Sequence, residues 1–276
     1  MSRVWVCGGF ELSLDRPLVM GILNVTPDSF SDGGQHDDPT SAVLWGERLI
    51  AEGAAILDIG GESTRPGAEP LSAAAELARV RPVVGRFAGD SVPVSIDTRH
   101  AEVARACVDA GASIINDVSG FRDRAMVEVA ASSNVGVVVM HMLGEPGTMQ
   151  DDPRYDDVVR EVGGYLLAQA TVLEAAGVAR NRIAIDPGLG FGKTLEHNLE
   201  LLRRLPEIVE LGYPVLIAAS RKRFLGQITG VEEPAERLGG SIEAALWAVS
   251  RGAAVVRAHD VGATVQALAV ASVLAE

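Results

Sequence analysis

Eight short apolar runs in this chain end in side chains that can ionise or hydrogen-bond. Leu18 to Leu23 leads into Asn24, and Ala55 to Ile59 carries Asp58 before Gly60-Gly61-Glu62-Ser63-Thr64-Arg65. Val92 to Ile96 leads into Asp97, Ser113 to Ile115 into Asn116-Asp117, and Val135 to Met140 into His141. Arg182 to Ile185 leads into Asp186, Pro214 to Ala219 into Ser220-Arg221-Lys222, and Ala254 to Ala258 carries Arg257 before His259. Carboxylates accept from N–H donors, and Asn both donates and accepts. Asp97, Asn116 and Asp186 therefore suit a flat heterocycle with an amino-amidine edge. Lys222 and Arg257 add positive charge and a guanidinium plane. His259 and Arg65 add contacts for an anion. Any one of these residues is equally well explained as a helix cap or a turn. Polar termination at all eight ends argues for one converging site, for a nitrogen heterocycle plus an anionic group.

Such convergence needs elements that bring eight ends together. Amphipathic stretches follow the apolar runs, near residues 41–52, 72–87, 101–110, 123–132, 155–176, 195–211, 235–251 and 264–274. Turn signals at Gly53, Gly89, Gly111, Asn134, Gly177, Gly212 and Gly252 mark helix ends. Alternating strands and helices give parallel strands with right-handed crossovers, in an open sheet or a closed barrel. Eight repeats in 276 residues favour closure, so the expected fold is an α/β (β/α)8 TIM barrel. One domain over residues 1–276 is expected. In such barrels the site lies at the C-terminal ends of the strands, often with phosphate beside strands seven and eight. The segment Val4 to Leu14, with Gly8-Gly9 at its centre, reads as a β-hairpin covering the barrel bottom.

Composition narrows the partners. The formal net charge of -13 argues against nucleic acid and against an anionic membrane surface. Two distant cysteines, Cys7 and Cys107, make neither a disulfide framework nor a zinc site. No apolar run is long enough to span a membrane, and Met1 to Asp15 has no signal-peptide core, so a cytoplasmic protein is expected. The five histidines lack metal-ligand spacing, and His100 and His197 read as helix starts. Gly188-Leu189-Gly190-Phe191-Gly192-Lys193-Thr194 imitates two nucleotide motifs and matches neither, because Pro187 and Lys193 stand where each needs Gly. It reads as a flexible loop beside a flat ligand. Ser220 to Arg223 opens a helix whose N–H groups favour an anion, with Arg221 and Arg223 read as a solvated basic turn.

The motifs also resemble a known family. Asn24-Val25-Thr26-Pro27-Asp28-Ser29-Phe30-Ser31-Asp32-Gly33-Gly34 and Asp58-Ile59-Gly60-Gly61-Glu62-Ser63-Thr64-Arg65-Pro66-Gly67 are similar to two signatures of dihydropteroate synthases. Ser95-Ile96-Asp97-Thr98, Asn116-Asp117-Val118-Ser119-Gly120 and the stretch from Asp186 to Lys193 resemble further family motifs. So do the stretches from Ser220 to Gly226 and from Arg257 to Val261, in the family's order. The family commonly has Gly where Ala218 stands and Val where Ala258 stands.

The resemblance implies condensation of 6-hydroxymethyl-7,8-dihydropterin diphosphate with p-aminobenzoate, by a dissociative substitution, in folate biosynthesis. It implies Asp97, Asn116, Asp186 and Lys222 around the pterin, with Met140 and Arg257 against its faces. Asp97, Asp186, Lys222 and Arg257 would be the catalytic set. Asn24 would help bind Mg²⁺, and Asn24, Arg65, Arg257 and His259 would meet the diphosphate. Thr64, Arg65, Pro66, Phe191 and Ser220 would frame p-aminobenzoate, with residues 25–39 and 60–71 closing as lids. The resemblance further implies a homodimer and sensitivity to sulfonamides, which mimic the arylamine. The competing readings are a folate-dependent methyltransferase, a Schiff-base aldolase using Lys222, and a catalytically silent pterin-binding paralogue.

Overall fold

The computed structural model describes residues 3–26, 39–62 and 71–274. Among these residues an antiparallel hairpin, β1 (Val4–Cys7) and β2 (Phe10–Ser13), precedes eight parallel strands. These are β3 (Leu18–Asn24), β4 (Ile56–Gly60), β5 (Val94–Asp97), β6 (Ile114–Asp117), β7 (Gly136–Met140), β8 (Ile183–Asp186), β9 (Leu216–Ile217) and β10 (Val255–Ala258). The helices are α1 (Pro39–Ala51), α2 (Ala73–Phe87), α3 (Ala101–Asp109), α4 (Arg124–Ala131), α5 (Val158–Ala175), α6 (Leu195–Arg203), α7 (Leu205–Val209), α8 (Arg223–Thr229), α9 (Leu238–Ser250) and α10 (Val261–Leu274). The sheet order is β8-β7-β6-β5-β4-β3-β10-β9. A parallel bridge between Ile185 and Val215 joins its two edges, with Ile185 N–H donating to Pro214 O at 2.9 Å. The expected (β/α)8 barrel is the fold the chain adopts.

The period-two alternation of the strands sorts their side chains. Leu57, Ile59, Ile96, Ile115, Val137, Val139, Ile183, Ile185, Ile217 and Val256 face the helices in one core. Ile56, Ile114, Val138, Ala184, Leu216 and Val255 fill the lower barrel in a second core. Two residues further along these same strands stand Asp58, Asn116, Met140, Asp186, Ala218 and Arg257. The interior is thus apolar below and mainly polar above, which leaves the chemistry at the C-terminal mouth.

The hairpin closes the opposite end. Trp5, Cys7 and Leu14 belong to the lower core. Trp5 Nε1 donates to Arg182 O at 3.0 Å, and Gly8 N–H donates to Asn134 O at 2.9 Å. Gly136 is required there, because a Cβ would lie 2.6 Å from Cys7 Sγ. The Arg182 guanidinium is buried and donates to Val135 O at 2.8 Å and to Ala130 O at 2.9 Å.

Some helix boundaries differ from the sequence pattern. The stretch 195–211 splits into α6 and α7 around Pro206. Proline has no N–H to give to Leu202 O, four residues back. Trp247 Nε1 takes that place, donating to Leu202 O at 3.1 Å. The stretch 235–251 becomes a 3-10 turn, Pro234–Glu236, and then α9. The marked glycines do adopt left-handed φ, from 80° at Gly212 to 112° at Gly111, whereas Asn134 does not. His100 stands at the N-cap position of α3 without a side-chain capping bond, and His197 completes a capping box with Thr194 on α6. Among the described residues no helix is long and apolar enough to cross a membrane.

Candidate active site

Strand register sets the site. Asn24 pairs with Gly60, Gly60 with Asp97, and Asp97 with Asn116 in one continuous row across β3 to β6. Met140 pairs with Asp186 on β7 and β8. Asn116 and Asp117 separate by strand alternation. The Asp117 carboxylate accepts from Ser119 N–H and Oγ–H and from Phe121 N–H, each at 2.7 Å, so it organises the loop after β6.

Arg257 is the hub of the mouth. Its Nε donates to Asp58 Oδ2 at 2.5 Å and its Nη2 to Asp97 Oδ2 at 2.6 Å. Asn116 Nδ2 donates to the same Asp58 oxygen at 3.2 Å. Asp58 is wholly buried, and its Oδ1 has no hydrogen-bond partner among the described residues. Burial pushes the Asp97 carboxyl up to about 7 despite the pull of Arg257, with the negative charge of Asp58 adding to the rise. Burial opposes the Arg257 charge, but Asp58 and Asp97 outweigh it and raise its pKa.

Across the mouth, burial likewise raises the Asp186 carboxyl, against the pull of Lys222 and a 2.7 Å bond from Gly188 N–H. Burial lowers the Lys222 ammonium to about 8, opposed by Asp186 and reinforced by Arg257. Lys222 Nζ donates to Leu189 O and stands 4.5 Å from the centre of the Phe191 ring. Phe191 packs against Met140, Met142, Met149 and Val118. Ser220 Oγ lies 3.0 Å from His259 Nδ1 and accepts from His259 N–H at 3.2 Å.

The structure therefore gathers Asp97, Asn116, Asp186, Lys222 and Arg257, with Met140 and Phe191 along one wall and Ser220 joined to His259. Thr64, Arg65 and Pro66, and most of the expected lids, lie outside the described residues. Asn24 ends β3 beside Gly60, its Oδ1 3.7 Å from where a Gly60 Cβ would stand. Its side-chain oxygen is a neutral donor of the kind magnesium accepts, and magnesium takes few protein ligands.

One sequence expectation changes. Arg221 is not a solvated turn residue. It adopts φ 60° and pairs with Asp260 through two hydrogen bonds, of 3.1 and 2.6 Å. The Gly188–Gly192 loop needs its glycines for their backbone angles and for close approach. Gly188, Gly190 and Gly192 hold φ of 67°, 80° and 63°, and a Cβ at Gly188 would lie 1.9 Å from His141 O. Asp58 is the residue that strand-end reading passed over. It sits one inward position short of the end of β4, and its alternation with Ile56 is the signal that places it inside.

Another polar network lies at the base of the loop after β4. Arg99 donates to Glu62 through Nε at 2.9 Å and Nη2 at 2.8 Å. Glu76, fully buried, meets His100 Nδ1 at 2.7 Å. Potential ligand atoms of Glu62, Glu76 and His100 lie within 4.8 Å of one another. The Glu62 carboxylate is nonetheless engaged by Arg99 and by Leu71 N–H.

The family model described as "Pterin binding enzyme" matches residues 20–259. A dihydropteroate synthase of Neisseria meningitidis serogroup C is 51% identical over 273 residues, covering 97% of this chain and 96% of that protein. The dihydropteroate synthase of Xanthomonas albilineans, solved with 4-aminobenzoic acid, is 50% identical at a TM-score of 0.94, covering 100% of this chain and 99% of that one. The Burkholderia cenocepacia enzyme, complexed with 7,8-dihydropteroate, is 48% identical at a TM-score of 0.91, covering 99% of this chain and 97% of that one. Motifs, barrel and full-length similarity agree that the chain belongs to the dihydropteroate synthases, transferases of folate biosynthesis.

Proposed function

We propose that residues 1–276 act as one domain that joins the pterin's exocyclic methylene to the amine of p-aminobenzoate after diphosphate has left. The observation that carries this is the Arg257 hub, which puts a fixed cation beside Asp97 and Asn116 at the barrel mouth. Asp97, Asn116, Asp186 and Lys222 hold the ring edge, with Met140 and Arg257 on its faces. Lys222 and Arg257 differ in use, as a point donor and as a planar cation.

In this mechanism the C–O bond to diphosphate breaks first. Arg257 and His259 receive the departing charge, and Asp97 and Asp186 stabilise the positive charge left on the pterin. The arylamine nitrogen then forms the new C–N bond and loses a proton. Water must be kept out while the cation exists. Phe191 and Ser220 line the second substrate's side, and the family resemblance assigns Thr64, Arg65 and Pro66 to the same substrate. The Ser220–His259 bond links the arylamine side to the diphosphate side. Asn24 would hold Mg²⁺, whose role when bound is to neutralise the diphosphate.

We read the protein as a cytoplasmic homodimer. Support for the dimer comes from α10, where Val270, Val273 and Leu274 are 61%, 70% and 81% exposed. Such a patch favours a partner surface. The test of the reaction is to supply both substrates, with and without magnesium, and to measure 7,8-dihydropteroate and diphosphate together. Equal yields of the two are expected. Tight binding of both substrates without product would instead favour the silent paralogue.

A further inference from the structure

Four consecutive carbonyls in the loop after β8 each accept a hydrogen bond from a different side chain. Lys222 Nζ donates to Leu189 O, and Gln150 Nε2 donates to Gly190 O. Lys193 Nζ donates to Phe191 O at 3.0 Å, and Tyr155 Oη donates to Gly192 O at 2.8 Å. The left-handed turns at Gly188, Gly190 and Gly192 permit the close approaches around this loop. At Gly192 a Cβ would lie 2.6 Å from Leu143 Cβ.

Lys193 is the unusual member. It is only 3% exposed, yet among the described residues no carboxylate forms an ion pair with it. Its second neighbour is His141 Nδ1, at 3.0 Å. His141 stands at the end of β7, packed edge-on against Tyr165 with ring centres 5.0 Å apart. A buried amine is costly unless its hydrogen bonds are satisfied. Burial moves Lys193 well below the usual lysine range, Lys222 adds to this, and Asp186 opposes it. The amine ties the end of β7 to the backbone of Phe191, whose ring faces Lys222.

We propose that Lys193, assisted by Tyr155, is a positioning residue that fixes the Phe191 ring as a wall of the p-aminobenzoate subsite. The proposal rests on the reading of Phe191 as part of that subsite. Lys193 touches neither substrate. It acts through the Phe191 carbonyl, and Tyr155 acts through the next carbonyl.

The test is steady-state kinetics on the full chain with each substrate varied in turn. Lys193→Met should raise KM for p-aminobenzoate about tenfold and leave KM for the pterin diphosphate within about twofold, since small displacements of a positioning group cost orders of magnitude. Tyr155→Phe, a milder change, should move the same KM in the same direction by about threefold. Lys193→Gln, which restores a hydrogen-bond donor, should recover part of the loss. If Lys193→Met does not fold, Tyr155→Phe decides. An equal rise in both KM values, a fall in kcat alone, or no change would overturn the proposal. Phe191→Ala separates the two readings. If it leaves KM for p-aminobenzoate unchanged, Phe191 is not a wall of the subsite. If it raises that KM while the Lys193 and Tyr155 variants do not, only the positioning role fails.

Discussion

Arg257 and Asp97, 160 residues apart in sequence, meet at 2.6 Å between Nη2 and Oδ2. The same guanidinium reaches Asp58 through Nε, so one arginine is held by two carboxylates from neighbouring strands. This arrangement fixes the plane of the cation before any ligand enters. Preorganised charge of this kind stabilises developing charge without reorganisation during the reaction.

Two shifted groups set the expected pH profile. The working form needs Asp97 ionised and Lys222 protonated. With Asp97 near 7, kcat/KM for the pterin diphosphate should fall as pH drops below that value. With Lys222 near 8, it should fall again as pH rises above that value. Lys222→Arg should abolish the alkaline limb and keep the acid limb. A profile flat from about pH 6 to about pH 9 would contradict both assignments.

Asp58→Asn removes one of the two charges that hold Arg257. Breaking a buried pair costs about 3 kcal/mol, readable by urea unfolding at neutral pH. Asp58 also raises the Asp97 pKa, so the acid limb of the pH profile should move to lower pH in this variant. An unmoved limb together with unchanged stability would show that Asp58 does not act on Asp97 or Arg257.

Trp5 tests the bottom of the barrel independently of the chemistry. Its side chain is fully buried, and its indole N–H bonds to Arg182 O. Trp5→Ala should cost about 3–5 kcal/mol of stability. At low temperature the fraction that remains folded should keep its kcat/KM, because the hairpin lies at the end opposite the site.

The barrel was legible because eight apolar runs, each with a helical stretch behind it, leave few topologies open. Strand-end positions were legible too, since alternation places Asn116 inside once Ile114 is inside. Asp58 was harder. It lies within an apolar run, and its partners Arg257 and Asn116 come from other strands. Arg221 reads as a solvated basic residue until Asp260, in the next loop, is seen beside it. The side chains that hold residues 189–192 come from Gln150, Tyr155, Lys193 and Lys222, and three of those four lie outside the loop. The split of residues 195–211 could be read from Pro206, although apolar spacing continues across it through Leu201, Leu205 and Ile208.

Asp97 carries the central claim, that a carboxylate held by Arg257 anchors the pterin and stabilises its cation. Because its folded pKa lies above the unfolded carboxyl value, its contribution to stability is full at low pH and is lost as pH rises through about 7. Asp97→Asn should therefore lose less stability at about pH 8 than at about pH 5, and its melting temperature at about pH 8 separates an activity loss from an unfolding effect. The decisive measurement is the turnover of Asp97→Asn with both substrates and magnesium. A fall in kcat/KM of at least about 100-fold, with diphosphate release falling in step with 7,8-dihydropteroate formation, is the predicted result. Near-normal turnover by the folded variant would contradict the account.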